Sequence, residues 1–196
     1  MKILTSLAIA VGAMLVAAPG HAASTTGEFA SKGAGRMTCA AFVDAKTRNL
    51  PEYGQYIAYV EGYVTAANRY EPNTYDLAPW HNAGAFGAIL EQYCQANAAD
   101  TLAVVALRLV DAFNQIRLVE ASPLIEVKEG EARAVLYVSI LKRAQAELKK
   151  QGLLSIEPDG AFNPETKAAL QTFQSKVNLS PTGVPDGATL WFLLNP

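Results

Sequence analysis

The sequence predicts an all-α protein in two parts, a disulfide-linked four-helix N-terminal domain and a C-terminal three-helix domain. Three observations lead there. From Met37 onward apolar residues recur at helical spacing. Cys39 and Cys94 fall on the inner faces of two of those helices. A short turn-and-cap pattern also occurs twice near the C-terminus, the copies 23 residues apart.

The start of the chain sets its expected compartment. Met1-Lys2 is positive, Ile3 to Val16 carries no charge, and small residues follow at Gly20 and Ala22. This is the pattern of a secretory signal peptide (residues 1–22), with cleavage expected between Ala22 and Ala23. The apolar run is shorter than the ~20 residues a spanning helix needs, so no membrane span is expected after cleavage. Export to an oxidising, periplasmic compartment makes a Cys39–Cys94 disulfide the expected state, with two buried free thiols as the alternative. His81 is then the one remaining histidine, and two cysteines with a distant histidine lack zinc-ligand spacing, so neither metal nor cofactor is expected. A hydrophobic content of 51% excludes a disordered tail protein. A net charge of −2 without basic runs leaves no footprint for nucleic acid.

Residues 23–35, rich in Gly, Ser and Thr, read as a flexible leader. Cys39, Phe42, Val43 and Lys46 then lie on one face of a first short helix. Pro51 opens a second helix to about Tyr70, with Ile57, Val60, Val64 and Ala67 inside. The prolines and turn formers between Glu71 and Trp80 make a loop. Phe86, Ile89, Leu90, Tyr93 and Cys94 form the apolar face of a third helix. Asp100 or Thr101 is suited to cap a fourth, with Leu102, Val105, Leu109, Phe113 and Ile116 facing in. A bridge between the first and third helices would clamp a small domain, residues 36–118, that is otherwise marginal. Residues 119–130 read as a linker punctuated by Pro123 and Gly130. A fifth helix is expected from Glu131 to Gln151, its acidic start and Lys149-Lys150 end complementing the helix dipole.

The C-terminal part, residues 131–196, carries the echo. Gly160, Asn163, Thr166 and Leu170 recur as Gly183, Asp186, Thr189 and Leu193. Each copy reads as a turn glycine, a helix N-cap, an N3 hydroxyl and a core leucine, with Pro164 at a first helical position. Helices are expected over about 164–177 and 187–194, around anchors that include Leu141, Leu148, Leu170 and Phe173.

Taken with Gln145, Gly152-Leu153, Asp159-Gly160-Ala-Phe162-Asn-Pro164-Glu-Thr166, Ala169-Leu170, Phe173-Gln174 and Thr182-Gly183, residues 134–196 resemble the peptidoglycan-binding domain, type 1. Asn163 departs from the glycine more usual there but keeps the cap. The resemblance implies an accessory module that holds a protein on the cell wall, so peptidoglycan, through its glycan or its stem peptide, is the expected partner. Trp191 is suited to be an aromatic platform and Lys167 to meet a stem-peptide carboxylate, with Asn163, Thr166 and Gln171 as further candidate contacts. Gln145 and Gln174 are as well suited to bind loop backbone as ligand.

Met37-Thr-Cys39, Gly62-Tyr63, Asn68, Tyr93-Cys94 and Asn97 resemble small secreted helical proteins, the HdeA-like periplasmic chaperones and the Tai-type immunity proteins. This resemblance implies a protein partner or effector for the N-terminal domain. An enzyme is set aside. His81 reads as a cap or surface residue, and both cysteines are better explained as a bridge. Glu61 and Glu91, the candidate carboxylates of a wall hydrolase, suit a solvated helix face equally well. The expected function is a non-catalytic exported protein that binds peptidoglycan through its C-terminal domain and another protein through its N-terminal one. The alternatives are an immunity or chaperone-like protein localised to the wall, and a cell-wall hydrolase.

Overall fold

The computed structural model describes Ser24, Thr26 and residues 28–195. The expected signal peptide lies outside the described residues. Residues 1–31 form one unit, in which the Thr26 hydroxyl donates to the Glu28 carboxylate at 3.0 Å. Lys32–Pro196 forms a second compact unit.

The second unit is mostly helical, but it is not all-α. Four helices come first: α1 (Cys39–Thr47), α2 (Glu52–Tyr70), α3 (Ala83–Ala96) and α4 (Leu102–Phe113). Two strands follow, β1 (Leu124–Glu129) and β2 (Ala132–Tyr137), and then α5 (Val138–Lys150), α6 (Pro164–Lys176) and α7 (Gly187–Leu194). The leader ends earlier than expected, because Gly33–Arg36 is a 3-10 turn whose Gly35 is buried against Tyr59.

Helices α1–α4 surround a cluster that includes Phe42, Val60, Leu90 and Leu102, whose spacing marked these helices out, together with Leu77 of the loop between α2 and α3. Cys39 and Cys94 lie in this cluster, both buried, and are joined as a disulfide between α1 and α3. Thr38 caps α1 by accepting from the Ala41 N–H at 3.3 Å. Thr101 precedes α4 without a side-chain cap, and Asp100 instead accepts from the Tyr93 hydroxyl at 2.5 Å.

The expected linker and the expected first turns of the fifth helix are a β-hairpin instead. β1 and β2 pair antiparallel from Leu124↔Tyr137 to Glu129↔Ala132, which leaves Gly130-Glu131 as a two-residue loop. Gly130 sits at φ +57°, the positive value that the first position of a II′ turn requires. Along the strands Val127 and Leu136 point into the protein, while Leu124, Val135 and Arg133 point out. That period-2 alternation is the signature of a strand with one covered face. The consequence is that α5 starts at Val138 rather than Glu131.

The hairpin and α5–α7 enclose a second cluster that includes Ile140, Leu141, Leu148, Leu170, Phe173 and Leu193. Trp80, from the loop before α3, and Leu118, from the segment after α4, are buried in it. Arg143 of α5 reaches back toward the end of α4, donating to the carbonyls of Ile116 at 2.6 Å and Arg117 at 3.0 Å.

Candidate functional site

The echo in the sequence is a duplication in space, organised by two wholly buried glutamines. Gln145 of α5 accepts from the backbone N–H groups of Asp159 (3.0 Å) and Gly160 (2.7 Å). Its amide donates to the Ala161 carbonyl at 2.9 Å and the Thr166 hydroxyl at 3.0 Å. Gln174 of α6 repeats this, accepting from Gly183 N–H (2.8 Å) and donating to the Val184 carbonyl and the Thr189 hydroxyl, both at 2.9 Å. Gly160 and Gly183 take positive φ (+83° and +76°), and a Cβ at either would lie 2.7 Å from a side chain of the preceding helix. Asn163 and Asp186 cap α6 and α7 by accepting from the Thr166 and Thr189 N–H groups, each at 2.8 Å. The Asp159 carboxyl is held below its usual range, first by the Ala161 N–H and then by the Gln145 amide. Of the two roles open to Gln145 and Gln174 in the sequence, both hold loop backbone.

The residues put forward as wall contacts do not form one patch. Thr166 is buried with its hydroxyl bonded to Gln145, which corrects the expectation that it meets a ligand. Asn163 spends one amide oxygen on the α6 cap. Lys167 is ion-paired with Glu129 of β1 at 2.7 Å, so its ammonium already holds a carboxylate. The stems of Lys167 and Gln171 pack over Gly183. Trp191 lies elsewhere, partly exposed in the seam between α7 and α3, with its ring edge-on to His81 at 5.8 Å.

At that seam is a groove of about 480 Å³. Trp191 and the exposed Phe192 of α7 form one wall, and Ala85, Ala88 and Ile89 of α3 form the other. Asn82 and Asp186, the caps of the two helices, close one end, and Gln92 stands along the α3 side. The helix starts are in near contact, since a Cβ on Gly187 would sit 3.6 Å from Asn82 Nδ2. The α3 wall escaped the sequence reading. Its one signal was the small residues Gly84, Ala85 and Ala88, which leave that helix face low.

Asn82 and Asp186 also border a more polar cleft of about 390 Å³, which includes Arg133 of β2 and His81. His81 is not the cap of α3, which corrects that part of the sequence reading: Asn82 caps α3, accepting from Ala85 N–H at 3.0 Å, while His81 is half-buried with both ring nitrogens covered. The His81 ring lies among aromatics, 4.6 Å from Phe113, 5.3 Å from Trp80 and 6.0 Å from Phe86, centroid to centroid. Neither of its nitrogens has a hydrogen-bond partner among the described residues. Burial pushes its pKa from 6.5 down to about 4.

The unfolded chain therefore takes up this proton at a higher pH than the folded one, and stability falls as pH drops from 6.5 toward 4. At 1.36 kcal/mol per pH unit the loss approaches about 3 kcal/mol and then levels off. Urea unfolding at pH 7 and pH 4.5 is expected to show it, and His81→Phe is expected to remove most of the difference. An unchanged difference in His81→Phe would assign it to carboxylates instead.

Glu91 is ion-paired with Lys46, while the Glu61 side chain has no partner among the described residues. No group of three or more His, Cys, Asp or Glu among the described residues is placed to hold a metal ion.

Residues 139–193 match the family model described as "Putative peptidoglycan binding domain". The match begins in α5 and ends in α7, so it contains both glutamine-held turns and excludes the hairpin and α3. No curated protein and no solved structure is significantly similar to the chain. The resemblance of the N-terminal helices to HdeA-like and Tai-type proteins therefore finds no support there.

Proposed function

We propose that this chain is an exported, non-catalytic protein of the periplasm that attaches to peptidoglycan through its C-terminal part. The observation that carries the reading is the family match over residues 139–193, whose paired glutamine-held turns give that segment a rigid frame. Trp191 and Phe192 then present aromatic surface beside that frame. Among the described residues no helix is long and apolar enough to cross a membrane, which suits attachment by binding rather than by insertion.

The N-terminal helices are the part proposed to meet another protein. Tyr70 of α2 with Val104 and Leu107 of α4 are large, exposed apolar residues on adjacent helices, a combination that interaction surfaces favour. Residues 23–196, incubated with purified insoluble peptidoglycan and centrifuged, are expected to pellet with it and to stay in solution without it. Pelleting no greater than that of serum albumin would overturn wall attachment.

A further inference from the structure

We infer that the groove between α3 and α7 is a glycan-binding cleft: it takes the neutral N-acetylated sugar backbone of the wall rather than the anionic stem peptide. The inference rests on the peptidoglycan-binding reading and narrows it to a ligand class and a place.

The lining fits that chemistry on three counts. A sugar ring has apolar C–H faces and a rim of hydroxyls, so it needs a flat aromatic or aliphatic surface bordered by small polar groups. Trp191, Phe192 and Ile89 supply the surface, and Ala85 and Ala88 leave room for a ring or an acetamido methyl to lie against α3. Around them stand unspent hydrogen-bonding atoms. Asn82 uses only its oxygen in capping, so its amide N–H₂ has no partner among the described residues, and Asp186 caps through one oxygen and keeps the other. The Gln92 amide has no partner among the described residues and is exposed. A donor, an acceptor and a group that is both match hydroxyls and acetamides.

Charge selects between the two halves of the wall polymer. Among the described residues no lysine or arginine lines the groove, and Asp186 is its one ionisable side chain. A stem-peptide carboxylate would lose its hydration there and meet a like charge, whereas an uncharged sugar would not. Lys167, the cation the sequence offered for such a carboxylate, is held by Glu129. The volume of about 480 Å³ falls in the range of roughly 300–1,000 Å³ usual for small-ligand sites. Half of the cleft belongs to α3, outside residues 139–193, so the matched segment alone has only one wall of it.

The test uses residues 23–196 with chitotetraose as the glycan probe and a synthetic stem pentapeptide as the competing one, read by calorimetry and tryptophan fluorescence. Chitotetraose is expected to bind and the pentapeptide not to. Ala88→Arg, which fills the groove from an exposed position on α3, is expected to weaken binding at least tenfold with an unchanged melting temperature. Trp191→Ala is expected to do the same, with circular dichroism reporting whether its helix persists. If the protein pellets with intact peptidoglycan but ignores chitotetraose, or binds it equally well in Ala88→Arg, the cleft assignment is overturned and wall attachment stands. Preference for the pentapeptide overturns it as well. Failure to pellet with peptidoglycan removes the underlying reading along with it.

Discussion

Replacing Gln145 or Gln174 with leucine is expected to lower the unfolding free energy by at least about 3 kcal/mol in each case. The size follows from what each side chain leaves behind. Leucine fills similar space, but the N–H groups of Asp159 and Gly160 and the carbonyl of Ala161 lose their partner when residue 145 changes. At residue 174 the losses are the Gly183 N–H and the Val184 carbonyl, both in a buried turn. A stranded buried group, such as the Gly160 or Gly183 N–H or the Val184 carbonyl, costs about 1–3 kcal/mol, the half-covered groups of Asp159 and Ala161 cost less, and no single rearrangement restores them together. Gln145→Glu separates the two ends of the amide. It keeps the acceptor but turns the donor into an oxygen facing the Ala161 carbonyl and the Asp159 carboxylate. It is therefore expected to be destabilising at pH 7 and partly rescued as the pH falls and the new carboxyl protonates. Urea titrations compare these with Gln55→Leu on the exposed side of α2, expected to stay within about 0.5 kcal/mol. An equally small effect at residue 145 would mean that water replaces the glutamine without penalty.

The second large effect is expected from the disulfide. Cys39 and Cys94 are 55 residues apart in sequence, and a closed loop of that length stabilises the folded state by roughly 4 kcal/mol on the chain-entropy model. The Cys39→Ala/Cys94→Ala protein is expected to lose about that much, because both sulfurs are buried and alanine replaces little volume. The informative measurement is where the loss appears. Trp80 and Trp191, the two tryptophans, lie next to His81 at the boundary of the two apolar clusters, and Trp191 is far along the chain from either cysteine. If Lys32–Pro196 unfolds cooperatively, tryptophan fluorescence and far-ultraviolet circular dichroism shift to lower denaturant together. Separate transitions would show that the bridge stabilises the first four helices alone.

The sequence was informative where a feature is local and periodic. Helices α1–α4 announce themselves because a 3.6-residue repeat of apolar side chains is readable without knowing what the face packs against. Asn163 and Asp186 are equally legible, since an N-cap is a short-range bond to a residue three places on. The hairpin was hidden for the opposite reason. Glu131-Ala-Arg-Ala has strong helix-forming residues and an acidic start, and it becomes a strand only because β1 pairs with it and Leu136 finds the second cluster. Thr166 misled because a hydroxyl at N3 looks available until a glutamine on another helix is known to bond it. The groove lay beyond reach for the same reason, since Ala88 and Trp191 belong to separate helices and meet only in the folded chain.

The burial of Trp80 and Leu118 among α5–α7, with Arg143 clasping the end of α4, bears on how such proteins are assembled and re-used. A segment matched by a family model invites treatment as a cassette, cut at its boundaries and fused to a new cargo. Here a cut before residue 131 would remove β1 from its partner strand and would strip Trp80 and Leu118 from the core they help to fill. Arg143 would be left with its guanidinium facing no carbonyl. A recombinant anchor taken from this chain therefore needs residues 32–195 whole, and shuffling that separated the halves would have to rebuild that seam before the anchor could fold.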